Sequence, residues 1–261
     1  MNASEAQIDL VKKIVSLLCI SKSILFITGA GISAESGLPT YRGIGGLYND
    51  SDTEDGISIE AVLSSEMLRT RPALTWKYLA RIEERCRNAR FNRAHEVIAE
   101  TERHFERVWV LTQNIDGFHH AAGSHNVIEI HGNMHRIYCE SCSWQAHVED
   151  YSQLKIPPTC PTCKHTVRPA VVFFGEQLPY REVSVIFEEM HKGFDIYFSI
   201  GTTSVFSYIQ DPIRIAKRRG KPIIEINPEE TAISSLADIK LPLKATEAME
   251  SLWGEYLGRL T

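Results

Sequence analysis

Four cysteines stand in two pairs with the spacing of a zinc site. Cys139 and Cys142 form one Cys-x2-Cys pair, and Cys160 and Cys163 form a second. Each pair can direct two thiolates at one tetrahedral ion, and disulfides, the alternative, are rare inside cells. Four thiolates leave no coordination position for water or substrate. The spacing therefore predicts one structural zinc ion rather than a catalytic metal.

A glycine-rich turn follows the first apolar run of the chain. The run 24–27 leads into GAG at 29–31, and Ala34 completes the GxGxx(G/A) fingerprint of a dinucleotide-binding turn. The segment GLP at 37–39 then stops the following helix after about two turns, because Gly and Pro disfavour its continuation. A dehydrogenase would continue into a long helix and a second strand with a ribose-binding acid. This loop therefore predicts a different use of the dinucleotide.

Polar side chains follow two later apolar runs. The segment TQNIDG (112–117) follows the run 108–112, and HGN (131–133) follows the run 127–130. Residues just past the carboxyl ends of parallel strands point into a cleft where ligands bind. His131 is either a structural histidine or a general base, since an ordinary imidazole pKa of about 6.5 suits proton transfer at neutral pH. Two polar clusters beside a glycine loop favour the functional interpretation.

The elements that must position these residues indicate an α/β fold. Continuous apolar runs are typical of strands buried on both faces, which predicts a mostly parallel, Rossmann-like sheet with helices on both faces. The predicted strands are Ile24–Ile27, Val108–Thr112, Val127–Ile130, Ala170–Phe174, Ile196–Ile200 and Ile223–Ile226. Amphipathic spacing predicts helices at the N-terminus and over Tyr180–His191, Tyr208–Arg219 and Thr246–Leu260. Two segments do not fit the sheet, residues 44–85 and 138–167, and together they predict a smaller second lobe.

Composition excludes several classes of function. The chain has 261 residues, of which 43% are hydrophobic and 23% charged, as expected of a globular protein. Its net charge of −5 argues against a general nucleic-acid binder, which needs a basic face. The sequence contains no run of 18 apolar residues, so it predicts no membrane span. The N-terminus lacks the pattern of a secretory signal. We expect a cytoplasmic protein, and a monomer.

Several motifs together resemble one family, the sirtuins, which are NAD-dependent protein-lysine deacylases. The motifs are GAGIS (29–33), PTYR (39–42), TQNID (112–116), HG (131–132), the paired Cys-x2-Cys segments and RPAVVFFGE (168–176). The resemblance implies that NAD is a consumed co-substrate and that acyl-lysine proteins are the substrates. It also implies a Rossmann-like NAD-binding domain formed by residues 1–43, 86–137 and 168–261. The small domain would then combine a helical module (44–85) with a zinc ribbon (138–167).

The resemblance also implies roles for single residues. His131 would be the general base that takes a proton from a ribose hydroxyl. The NAD-binding residues would be Gly29, Ala30, Gly31, Ser33, Tyr41, Arg42, Gln113, Asn114, Asp116, Gly201, Thr202, Thr203, Asn227 and Ala245. Most relatives have Phe at the position of Tyr41 and Ser at that of Thr203, and the segment SVF (204–206) departs from a small aliphatic run.

Two further groups are expected to bind the substrate. Phe174, Gly175 and Glu176 resemble the strand that pairs with an extended peptide. Tyr78 and Arg81, three residues apart on one helix face, resemble the pair by which one sirtuin subclass binds acidic acyl chains, which predicts desuccinylase and demalonylase activity beside deacetylation. The alternatives are a plain deacetylase, a mono-ADP-ribosyltransferase using the same cleft, and a module that binds NAD without turnover.

Overall fold

A six-stranded parallel sheet forms the centre of the structure, a computed structural model that describes residues 3–38 and 53–260. The strands of these residues are β1 (Ser23–Thr28), β2 (Arg107–Thr112), β3 (Val127–Glu129), β4 (Gly132–Cys139), β5 (Gln145–His147), β6 (Val167–Val171), β7 (Ile196–Ile200), β8 (Ile223–Ile226) and β9 (Ile239–Leu241). The parallel sheet has the strand order β3-β2-β1-β7-β8-β9, and the two strands of each adjacent pair run parallel. The predicted parallel sheet is confirmed.

Helices cover both faces of this sheet. The helices of the described residues are α1 (Ala3–Leu18), α2 (Ala30–Ser33), α3 (Ile59–Val62), α4 (Ser65–Thr70), α5 (Pro72–Cys86), α6 (Arg93–Thr101), α7 (Phe118–Ala121), α8 (Tyr180–Lys192), α9 (Ser207–Arg218) and α10 (Ala245–Gly258). Phe26 of β1 packs with α1, α6 and α10, whereas its neighbour Ile27 packs with α8 and α9. Successive residues of one strand therefore enter opposite cores, which explains the unbroken apolar runs.

A smaller lobe is built from helices α3, α4 and α5 and an antiparallel sheet of order β5-β4-β6. Trp76 of α5 is fully buried in the core of this lobe, and its Nε1–H donates to the Val167 carbonyl of β6 at 2.9 Å. The predicted helical and cysteine-rich segments thus share one core, separate from the two cores of the large sheet.

One predicted strand belongs to a different sheet. The run 170–174 was expected in the parallel sheet, but the strand there is β6, and it runs antiparallel to β4 in the small lobe. Burial on both sides gives β6 the same apolar character as a parallel strand, so the sequence pattern is identical. Strand β4 runs across the expected domain boundary after residue 137, and β6 runs across the one before residue 168. The division of the chain into domains at these positions stays a prediction.

The predicted helices 180–191, 208–219 and 246–260 correspond to α8, α9 and α10, with ends that differ by one or two residues. Their amphipathic spacing is the reason they could be recognised. Within residues 3–38 and 53–260, no helix has the length and apolarity needed to cross a bilayer.

Candidate active site

A cavity of about 730 Å³ opens at the carboxyl ends of the parallel strands, between the large sheet and the small lobe. Parallel sheets bind ligands at this edge because the loops that follow the strands meet there. The following predicted residues line the cavity: Gly29, Ala30, Gly31, Gln113, Asn114, His131, Phe174, Gly175, Glu176, Gly201, Thr202, Thr203, Asn227 and Ala245. Tyr41 and Arg42 lie outside the described residues.

The glycine turn packs directly against the loop after β7. The Gly31 N–H donates to the Gly201 carbonyl at 2.7 Å, and a Cβ on Gly31 would lie 2.6 Å from the Gly201 Cα. A Cβ on Gly29 would likewise lie 2.7 Å from the Thr202 Cβ. A side chain at either glycine would therefore separate the two loops. The helical segment after the turn ends at Gly37, with φ +86°, so the early break predicted from sequence is confirmed.

Ser33, Asn114 and Asp116 form a polar network beneath this turn. The Ser33 hydroxyl donates to Asp116 Oδ2 at 2.8 Å, and Asn114 Nδ2 donates to Ser33 Oγ and the Gly29 carbonyl, both at 3.1 Å. Burial raises the pKa of the Asp116 carboxyl, although hydrogen bonds from the Phe118 N–H and Ser33 act in the opposite direction. Ser33 and Asp116 do not line the cavity themselves; they fix the turn and the end of β2 that do.

Amide side chains connect the loops at the edge of the sheet. Gln113 Nε2 donates to Thr202 Oγ1 at 2.7 Å, and Asn227 Nδ2 donates to the Thr202 carbonyl at 3.2 Å. Three loops, after β2, β7 and β8, therefore hold one another in place. Close glycine packing and donor-rich loops at one edge suit the phosphates and riboses of a dinucleotide.

The His131 imidazole has a partner at each nitrogen. Nδ1 lies 2.9 Å from the Gln113 carbonyl oxygen, and Nε2 lies 2.7 Å from the Tyr208 hydroxyl. Because a carbonyl can only accept, Nδ1 carries the hydrogen and Nε2 carries the lone pair. Burial lowers the pKa of His131 despite the opposing effect of the Gln113 carbonyl, so the ring is neutral at pH 7 and can act as a base.

Tyr208 was not predicted to belong to the site. It lies in the first turn of α9, where its spacing fits an amphipathic helix, and no motif marks it. The sequence feature that comes closest to marking Tyr208 is the preceding segment 204–206, which departs from the small aliphatic run of the sirtuins. Its ring stacks on Phe206 with a centroid separation of 5.3 Å, and both rings meet the His131 ring edge-on.

The expected peptide-binding segment is held by the protein itself. The Phe174 N–H donates to the Leu63 carbonyl at 3.0 Å, and the Phe174 carbonyl accepts from the Ser65 N–H at 3.2 Å. The Glu176 carboxylate accepts from Arg168 at 2.6 and 2.8 Å and from the Phe173 N–H at 2.9 Å. All three predicted residues line the cavity, but Glu176 directs its charge at Arg168.

The structure places Tyr78 and Arg81 away from the cavity. The Tyr78 hydroxyl donates to Asp55 Oδ2 at 2.6 Å, and Arg81 pairs with Glu54 at 2.9 Å. The lining residues that α5 contributes are Leu79 and Ile82. Each lies one position later in the helix, a rotation of about 100°. This corrects the expectation that Tyr78 and Arg81 reach the acyl chain, and it puts an apolar pair in their place.

The four cysteines converge as their spacing predicts. Their Sγ atoms all lie within 4.8 Å of one another. Separations of 3.4 Å for Cys139 and Cys163 and 3.6 Å for Cys142 and Cys160 are far longer than a disulfide bond of about 2.05 Å. Four sulfurs around one centre fit a tetrahedral zinc ion, with Zn–S bonds of about 2.3 Å. The site does not border the cavity, so the metal is structural.

Fold and site together define a nucleotide-binding α/β protein with a half-buried, neutral histidine in its cavity and a separate zinc-holding lobe. The profile of the Sir2 family matches residues 29–207. The chain therefore belongs to the Sir2 family, and the sirtuin resemblance is confirmed.

Individual relatives agree with this assignment. A protein named NAD-dependent protein deacylase 2 from Pseudomonas aeruginosa is 47% identical over 232 residues, covering 88% of this chain and 90% of the relative. A Sir2 homolog–NAD complex is 37% identical with a TM-score of 0.85, covering 96% of this chain and 95% of that one. A Sir2–p53 peptide–NAD+ complex is 28% identical with a TM-score of 0.82, covering 96% and 99% of the two chains.

Proposed function

We propose that this NAD-dependent protein deacylase removes neutral aliphatic acyl groups, acetyl and its longer homologues, from lysine side chains of proteins. The proposal rests on one observation: the face of α5 that lines the cavity carries Leu79 and Ile82 rather than Tyr78 and Arg81. Lining residues contributed by or packed on the small-lobe core include Leu63, Ile115, Met134, Tyr151, Val171 and Phe173.

An acidic acyl chain would have no partner among these side chains. The hydroxyl of Tyr151, which belongs to this core and lines the cavity, already donates to the Met134 carbonyl at 2.7 Å. Charged groups among the described lining residues are Glu35, Glu176, Glu229 and Lys244, and the lysine directly precedes Ala245 at the opposite, nucleotide-facing side. Burying an unpaired carboxylate costs several kcal/mol, whereas burying methylene groups is favourable. This argument supports the plain deacylase over the acidic-acyl enzyme.

NAD supplies a ribose carbon from which nicotinamide leaves as the acyl amide oxygen attacks. The glycine turn and the loops tied by Gln113 and Asn227 would hold the dinucleotide, and orientation within the cavity supplies much of the acceleration. His131 Nε2 would accept the proton of a ribose hydroxyl, which frees that oxygen to receive the acyl group. One water molecule is consumed as the bond between the acyl carbon and the lysine nitrogen breaks, so the expected products are nicotinamide, free lysine and O-acyl-ADP-ribose.

The test compares acetyl-, butyryl- and succinyl-lysine peptides of one sequence, each incubated with NAD. We expect kcat/KM for the two neutral substrates to exceed that for the succinyl peptide by at least about 10- to 100-fold, which corresponds to the loss of one hydrogen bond to a charged group, roughly 1.5–3 kcal/mol. Nicotinamide and free lysine are quantified, and mass analysis identifies the ADP-ribose product. ADP-ribosylated protein in place of O-acyl-ADP-ribose would reveal a transferase instead.

Adjacent substitutions on α5 provide a matched pair. Ile82→Arg places a guanidinium in the lining and should raise the succinyl-to-acetyl ratio, because it pairs with the carboxylate. Arg81→Met changes the neighbouring residue outside the lining and should leave that ratio unchanged. A 10- to 100-fold loss of desuccinylation in Arg81→Met, with acetyl activity retained, would restore the acidic-acyl interpretation.

A further inference from the structure

The hydroxyl of Tyr208 occupies the position next to the lone pair of the base. With Nδ1–H committed to the Gln113 carbonyl, the 2.7 Å contact at Nε2 has only one direction in the neutral state: the Tyr208 O–H donates and Nε2 accepts. Tyr208 and His131 line the same cavity, so this contact lies where a substrate hydroxyl must approach Nε2.

A phenol can reverse this hydrogen bond. The ribose hydroxyl displaces the Tyr208 O–H from the single lone pair of Nε2 as it approaches. When Nε2 then forms its N–H bond with the proton of the ribose hydroxyl, the electron pair of the broken O–H bond stays on the ribose oxygen. The imidazolium then has a donor at both nitrogens, and the Tyr208 oxygen can accept the new one. Burial raises the pKa of Tyr208 to about 12, so its proton stays on the phenol throughout.

We propose that Tyr208 is a positioning residue of the reaction, whose hydroxyl orients the His131 ring and accepts the Nε2–H bond of the imidazolium. The inference rests on the proposed role of His131 as the base. A hydrogen bond to a charged group is about twice as strong as a neutral one, so Tyr208 stabilises the imidazolium more than the neutral ring. It thereby offsets part of the penalty that burial places on the protonated base.

The charged groups among the described lining residues are Glu35, Glu176, Glu229 and Lys244, and none of them is hydrogen-bonded to the His131 ring. The aromatic rings of Phe206 and Tyr208 lie edge-on to the His131 ring, with centroid separations of 6.0 and 5.9 Å. Among the described neighbours, the Tyr208 hydroxyl is therefore the group placed to accept a hydrogen bond from Nε2–H of the imidazolium.

The test is Tyr208→Phe, which keeps the stacked ring and removes only the oxygen. The pKa of His131 is measured by NMR in the NAD-free protein, and we expect it to fall by about half a pH unit to one unit. Because burial lowers the pKa of His131 in the NAD-free protein, we expect the acid limb of kcat/KM in the wild type to lie below the ordinary histidine pKa of about 6.5. The variant should move the limb further down, lower kcat about 3- to 10-fold and leave KM for NAD unraised.

Ser207→Ala, at the exposed neighbouring position, is the control and should match the wild type in every readout. A purely structural role for Tyr208 would lower kcat and the melting temperature without moving the pKa of His131. An unchanged or raised pKa in Tyr208→Phe would overturn the proposal. Because the NMR measurement requires no turnover, it separates this failure from a failure of the proposed activity.

Discussion

At the scale of single residues, the state of His131 follows from its surroundings. Burial disfavours the imidazolium and lowers the pKa, and the Gln113 carbonyl selects the tautomer with its lone pair on Nε2. A more exposed histidine would be partly protonated near pH 6.5 and would present either nitrogen. The fold thus prepares one nitrogen of one neutral ring to accept a proton in the cavity.

His131→Ala should lower kcat for an acetyl-lysine peptide by about 10²- to 10⁴-fold, the usual contribution of a positioned general base. Release of nicotinamide and of free lysine are both measured at saturating NAD. The melting temperature should stay close to the wild-type value, because the half-buried His131 side chain lies at the cavity wall. His125→Ala, whose side chain is 85% exposed, is the control. Near-normal turnover in His131→Ala would remove the residue from its role.

At the scale of elements, Arg168 of β6 connects the zinc-binding lobe with the segment expected to bind the peptide. Its guanidinium donates to Glu176 through two nitrogens and to Glu140, which follows the ligand Cys139. Burial alone would raise the pKa of Glu176, but the hydrogen bonds from Arg168 and the Phe173 N–H outweigh it and keep the pKa lowered. The pair is therefore ionised and bidentate.

Arg168→Met should destabilise the protein by about 3 kcal/mol, because it leaves the half-buried Glu176 carboxylate without its charged partner. Urea denaturation measures the loss, and peptide KM should rise as the 173–176 turn loosens. The matched control is Glu140→Gln, since Glu140 is 61% exposed and an exposed ion pair contributes at most about 1 kcal/mol. Equal losses in the free energy of unfolding for the two substitutions would show that the Arg168–Glu176 pair stabilises the protein no more than the exposed Arg168–Glu140 pair does.

Helices and strands with a regular hydrophobic pattern could be predicted from the sequence, whereas short strands and strands that mix polar and apolar residues could not. The strands β1, β2, β7 and β8 were recognised because both of their faces are buried. The strand β4 mixes polar and apolar residues, and β9 has three residues, so neither produced a signal. The apolar run at β6 could be recognised, but its pairing with β4 could not, because burial alone does not reveal which sheet a strand joins.

The arrangement of the site could be predicted where a motif fixes the backbone, but not where helix rotation decides. The glycine turn and the convergence of the cysteines follow from local spacing, whereas the role of His131 stays a prediction. Tyr78 and Leu79 are neighbours in a helix with apolar residues on more than one side, and sequence spacing could not tell which of them faces the cavity. Only tertiary packing shows that Tyr78 turns to Asp55.

At the scale of the whole molecule, the cavity joins two lobes that have separate cores. The large sheet supplies the glycine turn and the loops tied to Thr202, and the small lobe supplies the apolar wall. A ligand that occupies the nucleotide side therefore depends on the contact between the glycine turn and Gly201. That contact leaves no room for a side chain at Gly31, where a Cβ would lie 2.6 Å from the Gly201 Cα.

NAD should raise the melting temperature of the wild type by about 5–10 °C at a concentration 100-fold above its Kd, as expected for roughly 2.7 kcal/mol of binding linkage. Gly31→Ala should lose most of this rise, because its methyl group displaces the loop after β7. Gly254→Ala, in α10 with nothing within 4 Å of its Cβ, should keep the full response. A full NAD response in Gly31→Ala would show that this packing does not shape the nucleotide site.

The glycine that follows the base has a consequence for laboratory evolution. Gly132 has φ +82°, and a Cβ there would lie only 1.9 Å from the Ala170 oxygen on β6. A randomised library that includes this codon would consist almost entirely of non-functional members, since any methyl group pushes β4 off its neighbour. Variants with new acyl selectivity are better sought by diversifying Leu79 and Ile82, whose side chains line the cavity.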